Sequence, residues 1–424
     1  MKNSQLVFRS ITLFLIVILF NGCVKDTCKK MYSYSFYQPV YKTAAEVRAN
    51  IKNSVPREIE NAGKVYIKGN YIFLNEVDKG IHIIDNSNPS SPVNTAFIDI
   101  PGNLDLAVKG NSLYADLYTD LVTIDISDPL HVVTKKFNEG VFPYRAYANG
   151  FSGDTSRIIV DWIKSDTMVE VSCGSGEIFF EKYGFFSAPQ ANSVAAGGSK
   201  NSGSPIGQSG SMARFTIVNN RMYTVSNTDL SVFDIADANN PVYTNALSLN
   251  SWMVETIFPF KNKLFIGTQA GMFTFNVNRP DHPEFEGQFE HVRSCDPVIA
   301  DDDYAYVTLS SGSTCQGFNN QLDIIKLNDF ADAQLIKTYQ LTNPHGLSKD
   351  GNLLFICDGT DGLKVFDARN VNYLSQVKQF SGLETYDVIA YNNIALVVAK
   401  DGIYQYDYSN ANNIHLLSKT NFAD

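Results

Sequence analysis

The chain has 424 residues, of which 44% are hydrophobic and 18% are charged. This composition excludes a disordered chain and a coiled coil, because both need a larger share of charged residues. The net charge of −10 argues against nucleic-acid binding, since a protein that binds phosphates needs clustered lysines and arginines. The 28 phenylalanines and 22 tyrosines favour β-strands over helices.

The N-terminus has the features of an export signal. Two basic residues precede the apolar run 11–20, which is too short to span a bilayer but fits the hydrophobic region of a signal peptide. Gly22 and Cys23 follow, and the stretch resembles the lipobox of bacterial lipoproteins, in which the cysteine is lipidated and becomes the first residue. The resemblance implies a signal peptide over 1–22 and a membrane anchor of acyl chains on Cys23. A retained membrane anchor and a plain secretory leader are the alternatives.

Residues 23–61 are predicted to form a lipid-anchored tether that contains a short helix. The stretch 43–53 has a helical composition, with Thr43 placed to cap the first turn and Glu46 placed to complete a capping box. The aromatic stretch 32–41 before it is expected to be either a strand or part of the tether.

Similar segments recur along the chain from about residue 62. Each has a turn rich in Gly or Asn, a short apolar strand, a second turn, an alternating strand and then a sequence like Asp-x-Ser-x-Pro. Aligning them on the last residue of the second strand gives seven positions, most of them about 40 residues apart. These positions are Asp85, Asp125, Asp234, Asn276, Lys326, Asp367 and Asp407. The aspartates are expected to accept backbone hydrogen bonds in a turn rather than to act as catalytic groups.

A period of about 40 residues with several strands per unit predicts an all-β fold, a seven-bladed β-propeller of four-stranded antiparallel blades over 62–424. One such sheet cannot bury both of its faces alone, whereas a ring of sheets can. The second and third repeats lie 109 residues apart, so 141–209 is predicted to be an insertion, with an eighth blade as the alternative. Within it, 157–172 is predicted to be a hairpin that turns at 164–166, and the Gly- and Ser-rich stretch 187–211 a mobile loop.

Three of the repeats carry a shared motif: GIHIIDNSNP at 80–89, LVTIDISDP at 121–129 and GLKVFD at 362–367. These segments resemble the LVIVD-repeat β-propeller family, and the chain is most similar to the lipoprotein members from the Bacteroidota. The resemblance covers about residues 62–420. It implies a propeller fold and a location in the cell envelope, and it implies no known reaction.

Five cysteines follow Cys23, and an exported chain reaches a compartment that permits disulfides. Cys295 and Cys315 are predicted to form one, because they flank two strands of the fifth repeat in loops that share one face of the blade. Cys173 and Cys357 are the rival partners. Cys357 lies within an apolar strand, where a buried free thiol is expected.

No catalytic or metal-binding motif occurs in the sequence, so any active site must be assembled from several blades. In a propeller such a site forms at the mouth of the central channel, where the loops before the innermost strands meet. The residues predicted to line this mouth are Lys64, Asp105, Tyr144, Arg145, Arg214, Trp252, Glu255, Asp296, His345, Tyr386 and Asp387. Two interpretations remain open: a solvated rim whose acids cap turns and pair with basic groups, or a polar ligand pocket. No cofactor or metal ion is predicted, and a calcium site at the acidic turn 301–303 is an alternative to a plain exposed turn.

The sequence favours a non-enzymatic lipoprotein of the cell envelope, at the outer membrane and facing the periplasm or the cell surface, whose propeller binds or scaffolds an unknown protein or glycan. A second hypothesis is a hydrolase or lyase that acts on an envelope glycan, with Asp105, Asp296, Asp387 and His345 as its acid and base groups. A third is a structural subunit of an envelope complex, which predicts an exposed apolar patch larger than a few hundred Å². Two carboxyl groups about 5–10 Å apart across an open cleft would favour hydrolysis. A salt-bridged, plugged channel would favour binding or scaffolding.

Overall fold

A ring of seven sheets makes up most of the molecule. The computed structural model describes residues 29–142, 157–172, 208–249, 254–268, 271–290, 297–311, 319–327 and 333–423. Seven blades of four antiparallel strands follow one another along the chain, so the prediction of an all-β, seven-bladed propeller is confirmed. The sheet of the first blade has two additional strands, one at each edge. In each blade the strands pair in chain order, from the innermost strand A to the outermost strand D.

The strands are numbered in chain order. The elements before the first blade are β1 (Lys29–Lys42), α1 (Ala44–Arg48) and β2 (Lys52–Ser54). Blades 1 and 2 are β3 (Ala62–Lys68), β4 (Tyr71–Glu76), β5 (Gly80–Asp85), β6 (Val93–Asp99), then β7 (Leu106–Lys109), β8 (Ser112–Leu117), β9 (Asp120–Asp125), β10 (Val133–Asn138). The next two strands are β11 (Ile158–Ser172) and β12 (Gln208–Ser209).

Blades 3 to 7 follow without further additions among the described residues. Blades 3 and 4 are β13 (Phe215–Val218), β14 (Arg221–Val225), β15 (Asp229–Asp234), β16 (Val242–Ser248), then β17 (Val254–Phe260), β18 (Lys263–Thr268), β19 (Gly271–Asn276), β20 (Glu284–Glu290). Blade 5 is β21 (Val298–Ala300), β22 (Tyr304–Leu309), β23 (Gln321–Lys326), β24 (Gln334–Gln340). Blades 6 and 7 are β25 (Leu347–Asp350), β26 (Leu353–Cys357), β27 (Leu363–Asp367), β28 (Ser375–Phe380), then β29 (Thr385–Tyr391), β30 (Ile394–Ala399), β31 (Gly402–Asp407), β32 (His415–Asn421).

The turn between strands A and B explains the recurring Gly and Asn residues. In six blades this two-residue turn opens with a residue whose φ lies between 51° and 57°, a conformation that Gly and Asn adopt most readily. The second turn residue accepts, through its carbonyl, the N–H of the residue that follows strand C. That acceptor is an Asn in six blades and Asp303 in blade 5.

The aspartate that ends strand C has the turn role that the sequence predicts. Its Oδ1 accepts the backbone N–H two residues later, as Asp85 does from Ser87 at 2.8 Å and Asp407 from Ser409 at 2.7 Å. Asn276 makes the same bond in blade 4. The side chain therefore holds the connection to strand D in shape and takes no part in chemistry.

The ring closes without exchange of strands between its ends. Blade 1 contacts blade 2 through β3 and β7, and blade 2 contacts blade 3 through β7 and β13, so Asp125 and Asp234 stand in adjacent blades and the eighth-blade alternative is excluded. Blades 7 and 1 share an apolar cluster that includes Leu74 and Val398. At the chain end, the Ala423 N–H donates to the Ile59 carbonyl at 2.7 Å.

The prediction of a hairpin over 157–172 is wrong. The stretch forms one long strand, β11, which continues through 164–166 and pairs with β1 in a separate two-stranded sheet. Ser35 donates a hydrogen bond to Asp166 within this sheet. Tight hairpin turns favour glycine or Asn-Gly, because their central residues have positive φ. The stretch 164–166, Lys-Ser-Asp, contains no glycine. Of the stretch predicted as a mobile loop, 187–207 lies outside the described residues.

The helix before the propeller begins with the predicted capping box. Helix α1 is shorter than the predicted stretch, and the Glu46 N–H donates to Thr43 Oγ1 at 3.3 Å while the Thr43 N–H donates to Glu46 Oε2 at 2.8 Å. Arg48 in its last turn pairs with Asp120 of blade 2 at 2.6 Å, and β2 pairs with β6 of blade 1. Within the described ranges, no helix has the length and apolar character needed to cross a membrane.

Candidate functional site at the channel mouth

The structure describes seven of the eleven residues predicted to line the channel mouth. The other four, Tyr144, Arg145, Trp252 and Asp296, lie outside the described residues, as do Cys23, Cys173, Cys295 and Cys315. Lipidation and the Cys295–Cys315 disulfide therefore remain predictions. Cys357 is free and fully buried, as the sequence predicts for a thiol within an apolar strand, and burial raises the pKa of its thiol.

A short segment of the chain contacts the innermost strands of several blades near the predicted mouth. Residues 210–213, here called the plug, follow β12, which pairs with the innermost strand of blade 1. The Lys64 ammonium of blade 1 donates to the Met212 carbonyl at 2.7 Å. The Leu347 N–H of blade 6 donates to Ser211 Oγ at 3.2 Å, and the Ile257 N–H of blade 4 donates to the Ala213 carbonyl at 2.8 Å. Contacts with three separate blades place the plug across the centre of the ring.

The plug is as buried as the core. Ser211 is 0%, Met212 2% and Ala213 1% exposed. The sequence does not predict this arrangement, because the Gly- and Ser-rich composition of 187–211 indicates a mobile loop and the repeat spacing ends the insertion near 209. The one sequence feature that could have indicated the plug is its composition, Gly-Ser-Met-Ala, whose small and apolar residues fit a confined space between strands. This stretch has no hydrophobic periodicity typical of a strand or a helix.

Two buried groups of opposite charge, Lys64 and Asp105, lie near the plug and interact electrostatically. Lys64 is 5% and Asp105 2% exposed, and Asp105 accepts the backbone N–H groups of Arg214 and Leu106. Burial lowers the pKa of Lys64 to about 8, while the negative charge of Asp105 opposes this shift. Burial raises the pKa of Asp105 to about 6, and Lys64 together with the two backbone N–H groups holds it from rising further.

Three further predicted residues belong to the same charged group. The pKa of Lys64 is also affected by the positive charge of Arg214 and by the carboxylates of Asp387 and Glu255. Asp387 is 0% exposed and packs against Gly346, where a Cβ atom would overlap its Oδ1. Gly346 is thus required so that the backbone of blade 6 can approach this carboxylate. The arrangement brings electrostatically interacting groups of blades 1, 2, 3, 4 and 7 together, with Lys64, Asp105 and Asp387 buried and Arg214 and Glu255 half-buried.

His345 and Tyr386 form a second, partly exposed contact. The rings meet edge to face with centroids 5.8 Å apart. The His345 Nε2 atom lies 3.1 Å from the Asn343 amide nitrogen, and the Tyr386 hydroxyl donates to Glu384 at 3.1 Å. Burial lowers the pKa of His345, which favours the neutral imidazole, and raises the pKa of Tyr386 to about 12. Each polar group is held by a neighbour in its own loop, an arrangement that orders the rim.

Metal binding has no support among the described residues. No group of three or more His, Cys, Asp or Glu side chains in those ranges is arranged to hold an ion. The acidic turn 301–303 connects strands A and B of blade 5, as predicted. Asp301 accepts hydrogen bonds from the Tyr306 hydroxyl and from Lys349, both at 2.9 Å, so its carboxylate is engaged by the protein.

The stability of the channel mouth is expected to depend on pH through Asp105. Its folded pKa of about 6 exceeds the unfolded value of 3.8, so the folded protein holds more protons between these values. The contribution of Asp105 is therefore fully present below pH 3.8 and is lost as the pH rises through about 6. Lys64 has the opposite shift, so its stabilising change occurs as the pH rises from about 8 to 10.5.

Urea denaturation at half-unit intervals from pH 4 to 7 measures this slope. Asp105→Asn should flatten the fall in unfolding free energy between pH 4 and 6, whereas the exposed Asp237→Asn should leave it unchanged. An equal slope in the two variants would show that Asp105 does not titrate in this range. Asp116 and Lys64 face Asp105 and remain in both proteins.

Comparison with known proteins agrees with the fold. A family model described as the LVIVD repeat matches residues 60–96 and 103–136. Similar solved structures include a protein from Lactobacillus plantarum, with 11% identity, a TM-score of 0.52 and coverage of 85% of this chain and 96% of that one. The periplasmic gluconolactonase PpgL of Pseudomonas aeruginosa has 11% identity, a TM-score of 0.51 and coverage of 85% and 97%.

A third similar structure is Sqt1 of Saccharomyces cerevisiae, with 7% identity, a TM-score of 0.50 and coverage of 88% of this chain and 89% of that one. A search of curated proteins finds no significant match. At these identities the likeness extends to the fold alone, and the three proteins differ in description. The chain is a seven-bladed β-propeller that carries LVIVD repeats in its first two blades.

Proposed function

We propose that this protein is a lipoprotein of the cell envelope, anchored through Cys23, whose propeller acts as a binding or scaffolding module. The basic leader, the apolar run 11–20 and the Gly22-Cys23 pair support the anchor. The LVIVD repeats support a propeller module. The ligand is a protein or a glycan of the envelope, and the outer membrane is the proposed location.

The plugged channel mouth is the observation that carries the non-enzymatic proposal. A catalytic site at this mouth would need its acid and base groups to reach a substrate. Asp105 and Asp387 are 2% and 0% exposed, and Lys64 is bonded to the Met212 carbonyl. These groups hold the chain's own segment in place, which favours the binding hypothesis over the hydrolase or lyase. Asp296, the other carboxylate of that hypothesis, lies outside the described residues.

Affinity capture from native envelopes tests the binding function. The full chain, lipidated and purified in detergent, is immobilised and incubated with solubilised envelope material, and retained proteins and glycans are identified by mass spectrometry. We expect one component to be retained at a fixed ratio to the propeller. Turnover of envelope glycan fragments by the purified protein, lost in Asp105→Asn, would instead support the hydrolase.

Replacing Cys23 with Ala is expected to release the protein from membranes. Two or three acyl chains hold a protein firmly on a bilayer, because each buried CH₂ contributes about 0.8 kcal/mol. Cell fractionation should find the natural protein with membranes and the Cys23→Ala variant in the soluble fraction. Cys357→Ala is the matched control, since that thiol is buried in blade 6 and its loss should leave the partition unchanged. A variant that still sediments entirely with membranes would show that another element anchors the chain.

A further inference from the structure

One repeated hydrogen bond changes its partner in blade 5. A tyrosine occupies the third position of strand B in blades 2, 3 and 5. In blades 2 and 3 its hydroxyl donates to a carbonyl of the next blade, from Tyr114 to Ala238 at 2.8 Å and from Tyr223 to Pro280 at 2.9 Å. In blade 5 the Tyr306 hydroxyl donates instead to Asp301 of its own blade at 2.9 Å. The tyrosine hydroxyl that bonds to the next blade in blades 2 and 3 therefore bonds within its own blade in blade 5.

A cavity of about 370 Å³ lies at this position, between blades 5 and 6. The turn 301–303 and Tyr304 of blade 5 form one side, and Lys349, Asn352 and the loop 368–372 of blade 6 form the other. Its volume falls within the range of about 300–1,000 Å³ that is usual for small-ligand sites. The A–B turns and C–D loops that build it stand at the ends of the strands opposite the D–A loops, so the cavity is distinct from the channel mouth.

The charged groups around the cavity are paired within the protein, with the exception of the exposed carboxylate of Asp303. Asp301 pairs with Lys349 at 2.9 Å, and Asp302 pairs with Lys261 of blade 4. Arg369 pairs with Asp367 of its own loop. A ligand therefore meets little uncompensated charge, which argues against a metal ion and against a strongly charged ligand.

The uncharged surface of the cavity presents both hydrogen-bond donors and hydrogen-bond acceptors beside one aromatic ring. Asn352, Asn370 and Asn372 each present an amide that both donates and accepts hydrogen bonds. The half-buried ring of Tyr304 lies beside them, held edge to face with Tyr306 at 6.5 Å between centroids. A neutral ligand with many hydroxyl groups and a C–H face matches such a surface, because its hydroxyls satisfy the amides and its C–H face covers the ring.

We propose that the cavity between blades 5 and 6 binds a neutral saccharide. The inference rests on the proposed function as a binding module, for which it names a site and a ligand class. Tyr304 provides the stacking face, and Asn352 provides a hydrogen-bonding group on the opposite wall. Carbohydrate binding at this cavity needs neither the channel mouth nor the anchor on Cys23.

An array of neutral and acidic oligosaccharides, probed with the full chain in a detergent without a sugar headgroup, tests the proposal. Isothermal titration with the best neutral saccharide on the array then gives an affinity. Tyr304→Ala is expected to weaken binding at least about tenfold by removing the stacking face. Asn352→Trp is expected to abolish it, because the indole fills the cavity.

The repeat supplies matched controls for both variants. Tyr71 begins strand B of blade 1 as Tyr304 does in blade 5, and Asn111 occupies the A–B turn of blade 2 as Asn352 does in blade 6. Tyr71→Ala and Asn111→Trp should therefore keep the natural affinity. Binding only to acidic glycans, no binding to any neutral saccharide, or equal losses in the variants and their controls would each overturn the proposal. Any of these results would leave the fractionation and affinity-capture tests of the proposed function unaffected.

Discussion

Replacing Lys64 with Met is expected to destabilise the propeller by about 1–3 kcal/mol at pH 7.5, because it removes a buried positive charge that acts on the Asp105 carboxylate and the donor of a buried carbonyl hydrogen bond. Lys64 and Asp105 are 5% and 2% exposed, so neither charge is compensated by water. Methionine has nearly the same length and fills the same space, so the loss reflects charge rather than volume. The Met212 carbonyl also loses its donor. Urea denaturation of the natural protein and the variant measures the difference.

A double-mutant cycle separates the charge effect from other losses. Asp105→Asn combined with Lys64→Met removes both charges and should recover most of the stability that the single Lys64→Met variant loses. At pH 4.5 the coupling between the two sites should shrink, because Asp105, with a pKa of about 6, is then mostly neutral. Strictly additive losses at pH 7.5 would mean that Lys64 acts through the Met212 carbonyl and not through Asp105.

The Lys64→Met variant also tests whether Lys64 holds the plug in place. Residues 210–213 depend on bonds from three blades, of which the Lys64 ammonium supplies the one with a full charge. Limited proteolysis should therefore cleave Lys64→Met near the plug faster than the natural protein. Lys349→Met, which removes a paired lysine from the cavity between blades 5 and 6, is the matched control and should leave cleavage near the plug unchanged.

The blades could be predicted from the sequence because their determinants are local and repeated. An Asn in the A–B turn and an Asp at the end of strand C recur in most units, and each makes its hydrogen bond within its own blade. The strand β11 could not be assigned in the same way. Its alternation is equally consistent with a hairpin and with one long strand, and its partner β1 lies more than a hundred residues away in the sequence.

The plug could not be predicted because its contacts are distant in the sequence. The Lys64 and Met212 positions are 148 residues apart, and those of Leu347 and Ser211 are 136 apart. Alignment of the repeats predicts neighbouring positions for Lys64 and Asp105, since Lys64 lies near the start of strand A in blade 1 and Asp105 immediately precedes strand A in blade 2. It could not reveal that a segment outside the repeats would cover them. Three of the predicted rim residues, Lys64, Asp105 and Asp387, are therefore buried, whereas the other described rim residues are half-buried.

The seam between blades 7 and 1 contains a polar pair that other seams lack at this register. Gln405 in strand C of blade 7 is 1% exposed, and its amide exchanges two hydrogen bonds with the Asn86 amide, at 2.9 and 2.7 Å. The corresponding residues of the other six blades are Ile83, Thr123, Val232, Thr274, Ile324 and Val365. No strand is exchanged between blades 7 and 1 among the described residues, so this pair contributes to closing the ring together with the hydrogen bonds from Ser418 to the Pro89 carbonyl and from Ala423 to the Ile59 carbonyl.

Gln405→Leu is expected to lower the free energy of unfolding by about 2–4 kcal/mol, because it leaves the Asn86 amide at the seam with its donor and acceptor unsatisfied. Leucine has a similar volume, so the core at this seam stays filled. The double variant Asn86→Ala with Gln405→Leu should lose less than the single one, since it removes the stranded amide as well. Urea denaturation followed by tryptophan fluorescence and by far-UV circular dichroism measures both losses. Val365→Leu at the same register of blade 6 tests whether a leucine can be accommodated at this position of strand C. A loss of less than about 1 kcal/mol for Gln405→Leu would show that the apolar cluster around Leu74 and Val398 closes the ring by itself.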